Sequence, residues 1–284
     1  MAGRRPEYTS PPEQYYDRTE ALKYSGNSHI IRVQSELANR AFDLLELPDD
    51  GEPLMLLDIG CGSGLSGEVL TERGHMWIGV DISRDMISVA RNENEAEGDL
   101  ILMDMGRGLP FKPGAFDGAI SISAIQWLCH SNSNDENPRA RLHQFFQTLY
   151  STLARGARAV FQFYPENESQ CELICQQALK VGFRGGLVVD FPESKKARKV
   201  YLVINAGGNV ATGIPRALTA ADDESDAHVY VEERGRTFGD KRRGAQRPPP
   251  KGSRAYIEAR KERMRRRGIE VRESTKYTGR RRRH

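Results

Sequence analysis

A glycine-rich segment follows the first strongly apolar run of the chain. It reads Asp58-Ile59-Gly60-Cys61-Gly62-Ser63-Gly64. Glycines at the end of a strand let the backbone turn tightly and come close to a ligand at the carboxyl edge of a sheet. A dinucleotide site needs G-x-G-x-x-G, which presents backbone amides to a pyrophosphate, and here Leu65 occupies the last glycine position. The preceding carboxylate of Asp58 would repel a phosphate and suits a cation.

Two further acidic residues end the next two apolar runs. Asp81 lies about 20 residues past the glycine segment, where a carboxylate can accept hydrogen bonds from both hydroxyls of a ribose. Asp104 is placed to bind an adenine amine, with Ile82 and Met105 flanking the ring. Each Asp alone could equally be a turn or cap residue, but three in register indicate a site for S-adenosylmethionine, which carries a sulfonium, an ammonium and no phosphate. The predicted cofactor-binding residues are Asp58, Gly60, Cys61, Gly62, Asp81, Ile82, Asp104, Met105 and Ser121.

These residues need a sheet to carry them, and apolar runs bounded by turn residues predict seven strands. The predicted strands are Leu54–Ile59, Met76–Asp81, Leu100–Asp104, Phe116–Ser121, Arg158–Phe163, Leu187–Phe191 and Lys199–Asn205. The predicted helices are Leu65–Arg73, Arg84–Glu97, Ala124–Leu128, Arg139–Ala154 and Glu168–Val181. This alternation predicts an α/β fold with a doubly wound, mostly parallel sheet. The gap Pro192–Arg198 is too short for a helical crossover, so the last two strands should form an antiparallel hairpin. That arrangement resembles the seven-stranded, Rossmann-like fold of class I methyltransferases more than an ordinary dehydrogenase domain.

The domain plan that follows has four parts. Residues 1–50 should form a helical preface whose aromatic residues, among them Tyr15, Tyr16 and Tyr24, cover the cofactor cleft, although they could equally be surface aromatics. Residues 51–205 should form the catalytic domain. Residues 206–250 are rich in glycine, acidic residues and proline, which predicts a linker, and residues 251–284 form a basic tail in which Ser253–Arg267 could be a basic helix.

Charge is divided sharply along the chain. Residues 234–284 contain 20 Lys and Arg against 5 Asp and Glu, a net charge of +15, so residues 1–233 carry −12. An acidic body with a basic tail indicates a polyanionic partner such as RNA, with a solvated charge run as the alternative. The four cysteines show neither a secreted disulfide pattern nor zinc-ligand spacing. The polar N-terminus and the lack of a long apolar run predict an intracellular protein that does not cross a membrane.

The sequence resembles the eukaryotic methyltransferases that modify a guanine N7 in small-subunit (18S) ribosomal RNA. The resemblance covers nearly the whole chain, and the Ser121–Cys129 segment and the terminal Tyr277–Arg280 are its most particular parts. It rests on Arg4–Glu7, Leu57–Gly62, Leu65–Gly67, Gly79–Ser83, Pro110–Gly114, Ser121–Ala124, Gln126–Cys129, Tyr164–Asn167 and Tyr277–Arg280. It implies a transferase that uses S-adenosylmethionine and acts on 18S rRNA in the pre-40S particle during ribosome biogenesis.

The segment after the fourth predicted strand agrees with that resemblance by elimination. Ser121–Ala124 is not the Asn/Asp-Pro-Pro-aromatic tetrad that usually accompanies methylation of an exocyclic amine. It contains no Lys or His to act as the base that ribose methylation needs, and neither Cys61 nor Cys129 is placed as a nucleophile. Guanine N7 needs no base, since its lone pair lies in the ring plane. We therefore predict no acid–base catalyst, with Gln126 and Trp127 as candidates for positioning the guanine; core packing is the alternative for Trp127.

Partners and compartment follow from the same features. The third strand, Leu100–Asp104, should lie at a sheet edge with an unguarded apolar run, which proteins usually cover. The resemblance implies that a small zinc-binding activator subunit, shared with tRNA and protein methyltransferases, covers this edge. It would form a heterodimer with the chain by adding a strand to the sheet. The basic clusters suit RNA binding and nuclear import, which indicates the nucleus (nucleolus and nucleoplasm), with the cytoplasm left open.

Two alternative functions remain. One is a ribosome-assembly scaffold whose presence matters more than its catalysis, and the other is a small-molecule methyltransferase, which the basic tail disfavours.

Overall fold

The computed structural model describes residues 5–48, 50–131, 137–194, 197–207 and 215–219, together with 254–255, 257–258, 261 and 274. The chain divides into two compact units, Met1–Glu232 and Glu233–His284. In the second unit, the described residues 254–255, 257–258 and 261 are helical. The rest of the predicted basic helix, 253–267, lies outside the described residues.

A seven-stranded sheet forms the centre of the first unit. Its strands are β1 Met55–Ile59, β2 Met76–Asp81, β3 Asp99–Leu102, β4 Phe116–Ile122, β5 Leu153–Phe163, β6 Arg184–Asp190 and β7 Lys199–Asn205. Their order across the sheet is β3-β2-β1-β4-β5-β7-β6. The first five strands are parallel, while β7 lies antiparallel between β5 and β6. The predicted fold class, the antiparallel hairpin and the edge position of the third strand are all confirmed.

Helices cover both faces of this sheet. They are α1 Pro12–Tyr15, α2 Arg18–Gly26, α3 Ser28–Leu45, α4 Leu65–Glu72, α5 Arg84–Asn92, α6 Pro138–Thr152 and α7 Glu168–Val181, with 3-10 helices at Pro6–Tyr8, Met105–Arg107 and Ile125–Cys129. One core lies between the sheet and α3 and α4, and the other lies between the sheet and α6 and α7. Cys171 and Cys175, four residues apart on α7, pack at the edge of the second core. Within the described part of the chain, no helix is long and apolar enough to cross a membrane.

Helix α5 and strands β3 and β6 have boundaries that differ from those predicted from the sequence. Helix α5 ends at Asn92 rather than at residue 97, and Glu95 has a left-handed backbone with φ of 49°. Strand β3 ends at Leu102, because Asp104 instead caps the following 3-10 helix by accepting a hydrogen bond from the Gly106 amide. Strand β6 begins three residues before the predicted Leu187, since Arg184–Gly186 pair with β7 although they carry no apolar pattern.

Part of the predicted linker, residues 215–219, belongs to the first unit and contacts the end of β6. The Leu218 amide donates to Asp190 Oδ1 at 2.7 Å, and the Phe191 amide donates to the Leu218 carbonyl at 2.8 Å. Arg40 binds both the Asp190 carboxylate at 2.8 Å and the Arg216 carbonyl at 2.9 Å. The chain beyond β7 therefore returns to the end of β6, which its glycine-rich, polar composition did not indicate.

Candidate active site

A cavity opens at the carboxyl ends of β1, β2 and β4, under the N-terminal helices. This is the edge at which open α/β sheets bind their ligands. Of the predicted cofactor residues, the cavity is lined by Gly60, Cys61, Gly62, Asp81, Ile82, Asp104 and Met105. Trp127 also lines it, whereas Asp58, Ser121 and Gln126 do not. The fold therefore brings most of the predicted residues to this cavity, whereas Asp58, Ser121 and Gln126 lie behind its wall.

The glycine segment turns because its residues have no side chains to obstruct it. Gly60 and Gly62 have positive φ angles of 71° and 52°, and a Cβ atom on Gly60 would lie 2.3 Å from the Ala124 Cβ. The amides of Gly60 and Cys61 both donate to the Val80 carbonyl, which ties the loop to the end of β2. Burial raises the pKa of the Cys61 thiol well above its usual value, so this cysteine is not a nucleophile.

Asp81 joins the ends of β1 and β2 at the cavity wall. Its Oδ2 accepts from the Gly62 amide and its Oδ1 from the Ser83 amide, both at 2.8 Å. Burial raises the pKa of Asp81, and the backbone amides around it oppose that rise. The carboxylate is therefore held in one orientation by the backbone, with its remaining lone pairs available to a ligand in the cavity.

Asp58 lies beneath the glycine loop, fully buried, rather than in the cavity wall. Its Oδ2 accepts a hydrogen bond from Ser66 Oγ at 2.7 Å, while its Oδ1 has no hydrogen-bond partner among the described residues. Burial, assisted by the nearby charge of Asp81, raises the pKa of Asp58 to about 7. The sequence predicted direct contact between Asp58 and the cofactor. In the structure, the Asp58 carboxylate instead binds Ser66 in the first turn of α4.

Asp104 is paired with an arginine that lies far from it in the sequence. Arg141 of α6 contacts Asp104 Oδ1 at 2.9 Å and Oδ2 at 3.1 Å, and both residues line the cavity. Arg107 lies 3.7 Å from the same carboxylate. Asp104 thus forms an ion pair and also caps a 3-10 helix, which leaves fewer of its lone pairs to accept a hydrogen bond from an adenine amine. The sequence carried no signal for this pair, since 37 residues separate its members.

The segment after β4 is held by buried polar side chains. Ser123 has a left-handed backbone, with φ of 58°, which is costly for a residue with a side chain. Its amide donates to the Gln162 carbonyl at 2.9 Å, and its Oγ donates to Gln162 Oε1 at 2.8 Å. Gln126 is buried and donates to the Ser123 carbonyl, and Ser121 Oγ donates to the Ile59 carbonyl. Gln126 and Ser121 therefore shape this wall from behind, whereas Ser123 lines the cavity.

An aromatic cluster from the N-terminal helices closes the cavity. The rings of Tyr15 and Tyr16 lie 6.1 Å and 5.9 Å from Trp127, and the Tyr16 ring packs edge-on against Tyr24. Ser83 Oγ donates to the Tyr16 carbonyl at 2.8 Å, which fixes this cover to the end of β2. Tyr16 and Tyr24 line the cavity, and burial raises the pKa of both phenols. Trp127 is 6% exposed, so it both packs in the wall and faces the cavity.

Comparison with protein families and solved structures supports the architecture. Residues 57–161 match a family described as a methyltransferase domain, and residues 204–284 match a family described as the methyltransferase involved in Williams-Beuren syndrome. The fold is similar to Haemonchus contortus phosphoethanolamine N-methyltransferase 2, with 18% identity, a TM-score of 0.52 and coverage of 69% of this chain and 58% of that chain. It is also similar to a Haloferax volcanii methyltransferase in complex with the Trm112 activator, with 15% identity, a TM-score of 0.51 and coverage of 71% and 99%.

Full-length relatives are much more similar. The chain is 51% identical to the mouse 18S rRNA (guanine-N7)-methyltransferase, over 98% of this chain and 97% of that protein. It is 50% identical to the Arabidopsis thaliana enzyme of the same name, RID2, over 98% of each chain. It is 45% identical to the Saccharomyces cerevisiae 18S rRNA (guanine(1575)-N7)-methyltransferase, over 99% of this chain and 98% of that protein. The chain belongs to the family of eukaryotic 18S rRNA (guanine-N7)-methyltransferases.

Proposed function

We propose that this protein transfers a methyl group from S-adenosylmethionine to N7 of a guanine in 18S rRNA during assembly of the small ribosomal subunit. The observation that carries the proposal is the match, over nearly the whole length, to relatives with this named activity, in a chain that retains the cavity and its glycine loop. The name of the Saccharomyces cerevisiae relative specifies guanine 1575. We propose the corresponding guanine as the target here.

The cavity suits S-adenosylmethionine chemically. Asp81 offers a fixed carboxylate to the ribose hydroxyls, and the Gly60–Gly62 backbone allows close approach of the methionine part. Ser63 lines the cavity, and its buried Oγ has no hydrogen-bond partner among the described residues, so this residue is a candidate to bind the polar amino-acid end. Met86 and Met105 supply apolar surface for the adenine. When bound, the cofactor supplies an electrophilic methyl group on a sulfonium.

The acceptor chemistry requires positioning rather than proton transfer. Guanine N7 carries an in-plane lone pair and loses no proton on methylation, so its alignment with the methyl group lowers the barrier without a general base. The titratable side chains on the cavity wall agree with this. Asp81 and Asp104 are held by hydrogen bonds and an ion pair, and the pKa values of Cys61 and Tyr16 are raised. A general base is not needed from any of them.

Positioning of the guanine falls to the wall formed after β4. We propose that Trp127 stacks on the base, since its ring lines the cavity beside Ser123 and Ala124. Gln126 acts differently from the direct contact predicted from the sequence. Gln126 is 4% exposed and its side-chain amide donates to the Ser123 carbonyl at 2.9 Å, so we propose that it supports the left-handed turn of Ser123 rather than touching the base.

A partner subunit is proposed at the free edge of β3. Ile101 and Leu102 are 37% and 45% exposed there, which leaves apolar surface and unpaired strand edge side by side. A small zinc-binding activator that adds a strand would cover both. The Haloferax volcanii structure, in which a methyltransferase of similar fold is bound to the Trm112 activator, supports an activator of this kind.

The basic tail is proposed to dock RNA and to direct nuclear import, so that the enzyme works in the nucleolus and nucleoplasm. The support is its charge, +15 over residues 234–284, because clustered Lys and Arg bind phosphates without reading sequence. Most of these residues lie outside the described part of the chain. The proposed domains keep the order predicted from the sequence. Residues 215–219, predicted as part of the linker, instead contact the catalytic domain at Asp190.

Mapping N7-methylguanosine on 18S rRNA, in cells with and without the protein, tests the proposal. Loss of one N7-methylguanosine on deletion, restored by the wild-type gene, is the expected result. An unchanged methylation map would refute the enzymatic assignment. If deletion removes the N7-methylguanosine but a catalytically inactive variant restores small-subunit production, the protein is a methyltransferase. Its role in assembly then depends on its presence and not on methylation.

A further inference from the structure

The loop between β6 and β7 carries a cluster of positive charge on an acidic body. Four of the five residues from 195 to 199 are Lys or Arg, whereas residues 1–233 as a whole carry a net charge of −12. Arg198 and Lys199 belong to the described residues, and neither forms an ion pair within that part of the chain. The Arg198 amide donates to the Ser194 carbonyl at 2.8 Å, which fixes the turn of the loop. These two cations are therefore held in place without being neutralised by a described acidic residue.

The loop lies at the edge of the sheet at which the cavity opens, beside a partly exposed aromatic ring. Strand β7 is antiparallel to β5 and pairs Val200 with Phe163, the last residue of β5, so Lys199 comes opposite Tyr164. The Lys199 Nζ lies 5.5 Å from the centroid of the Tyr164 ring, and this tyrosine is 36% exposed. Arg198 and Tyr164 also line one pocket. Tyr164, Arg198 and Lys199 thus form a single surface, the hairpin patch.

The hairpin patch adjoins the wall of the cavity that follows β4. Ser123 lines the cavity, and its amide and its hydroxyl are both bonded to Gln162. Gln162 precedes Tyr164 by two residues, which is about 7 Å along a strand. Tyr164 is also within electrostatic range of Tyr24 in the cavity wall, whose pKa is raised chiefly by burial and further by Tyr164. A strand of RNA whose guanine enters the cavity can therefore reach the hairpin patch with an adjoining nucleotide.

Two acidic side chains line the same pocket and limit where an anion can bind. The Tyr8 hydroxyl donates to the carboxylate of Glu166, which raises the pKa of Tyr8. Glu168 lies in the first turn of α7. Both carboxylates would repel a phosphate. Phosphates are therefore expected on the side of the patch that Arg198 and Lys199 form.

The segment that leads to the basic tail starts at the same edge of the sheet. The amide of Phe191, just after β6, donates to the Leu218 carbonyl at 2.8 Å, and the Leu218 amide donates to Asp190 at 2.7 Å. Asp190 ends β6, and the basic loop follows it. The chain that continues into the tail is therefore anchored beside the hairpin patch.

We propose that the hairpin patch binds the rRNA strand next to the target guanine, with Tyr164 stacking on a neighbouring base and Arg198 and Lys199 binding its phosphates. This inference rests on the proposed function. Single strands are commonly bound in this way, by positive side chains that follow the backbone and by aromatic rings that accept any base. Contacts of this kind read no sequence, so the patch holds the strand while the guanine occupies the cavity.

The first test removes the two charges by combining Arg198→Gln with Lys199→Gln. The matched control combines Lys112→Gln with Arg155→Gln, which takes the same charge from exposed residues near the starts of β4 and β5, at the opposite edge of the sheet. The full-length enzyme, with any copurifying subunit, is titrated with small ribosomal subunits from cells that lack the protein. We expect Kd for these subunits to rise roughly 10-fold in the first variant, and the slope of log Kd against log salt to fall by about 1.4, for two phosphates on a single strand. The control should change neither.

The second test concerns the ring of Tyr164. Tyr164→Leu removes the stacking surface and should weaken binding of the subunits by about 5- to 150-fold. Tyr164→Phe keeps the ring and should stay within about twofold of wild type. Affinity for S-adenosylmethionine should also stay within about twofold in every variant, because none of these residues lines the cofactor cavity.

The outcomes separate RNA binding from other roles of the patch. A wild-type Kd in the charge variant, an equal loss in the control, or a loss without a change in salt dependence overturns the inference. It is also overturned if the charge variant loses a copurifying protein while its Kd for the subunits is unchanged, since the patch would then bind a protein. If wild type forms no N7-methylguanosine, the proposed function fails, whereas the comparison of Kd values still decides whether the patch binds rRNA.

Discussion

Replacing Asp81 by Ala tests the cofactor site most directly. The carboxylate has about four lone-pair positions, and the amides of Gly62 and Ser83 occupy two of them at 2.8 Å. The remaining positions face the cavity and can accept from two ribose hydroxyls. A hydrogen bond to a charged group contributes about 1.5–3 kcal/mol, so Asp81→Ala should weaken S-adenosylmethionine binding by about 10- to 150-fold.

Calorimetric titration of S-adenosylmethionine into the folded variant measures this loss. The change also removes the acceptor of two backbone amides, so Tm must be recorded beside the affinity. Glu93→Ala, at an exposed residue that follows α5, is the matched control and should bind the cofactor as wild type does. An affinity within about twofold of wild type, in a variant shown to be folded, would refute the assignment of Asp81 to the ribose.

Three further predictions concern the support of the glycine loop, the sheet edge and the tail. Asp58 keeps its proton up to about pH 7 in the folded state but only to about pH 4 when unfolded, so the stability that its raised pKa contributes is lost as pH rises through this window. Asp58→Asn should therefore flatten the fall of Tm between about pH 4 and about pH 7; an unchanged profile would contradict the burial argument. Leu102→Arg at the β3 edge should abolish co-purification of an activator subunit, whereas Leu187→Arg, on the exposed surface of the opposite edge strand β6, should not; stoichiometric recovery with both variants would show that β3 is not the interface. Deletion of residues 252–284, which hold 13 Lys and Arg against 4 Asp and Glu, should leave cofactor affinity unchanged and reduce both RNA affinity and its dependence on salt; full-rate methylation of 18S rRNA in cells would refute the docking role.

Local patterns in the sequence were sufficient for the sheet and for much of the cavity. A strand buried on both faces must be a continuous apolar run, and a loop that approaches a ligand must be rich in glycine, so both leave a trace in a few consecutive residues. The same reasoning predicted that Gly60, Gly62 and Asp81 meet at one edge, since the ends of neighbouring parallel strands always do. The pairing of β6 and β7 followed from the length of the connection alone.

Contacts between distant segments were decided only by the folded chain. Nothing near Asp104 indicates that Arg141 pairs with it, and nothing near Asp58 shows that this carboxylate lies under the loop rather than in the cavity. Likewise, nothing near Arg5 indicates that it donates to the carbonyls of Tyr164 and Pro165, about 160 residues away. Whether a polar side chain faces a ligand, an arginine or the core is set by which remote elements pack around it, because hydrogen bonds and ion pairs depend on distances in space and not on separation in sequence.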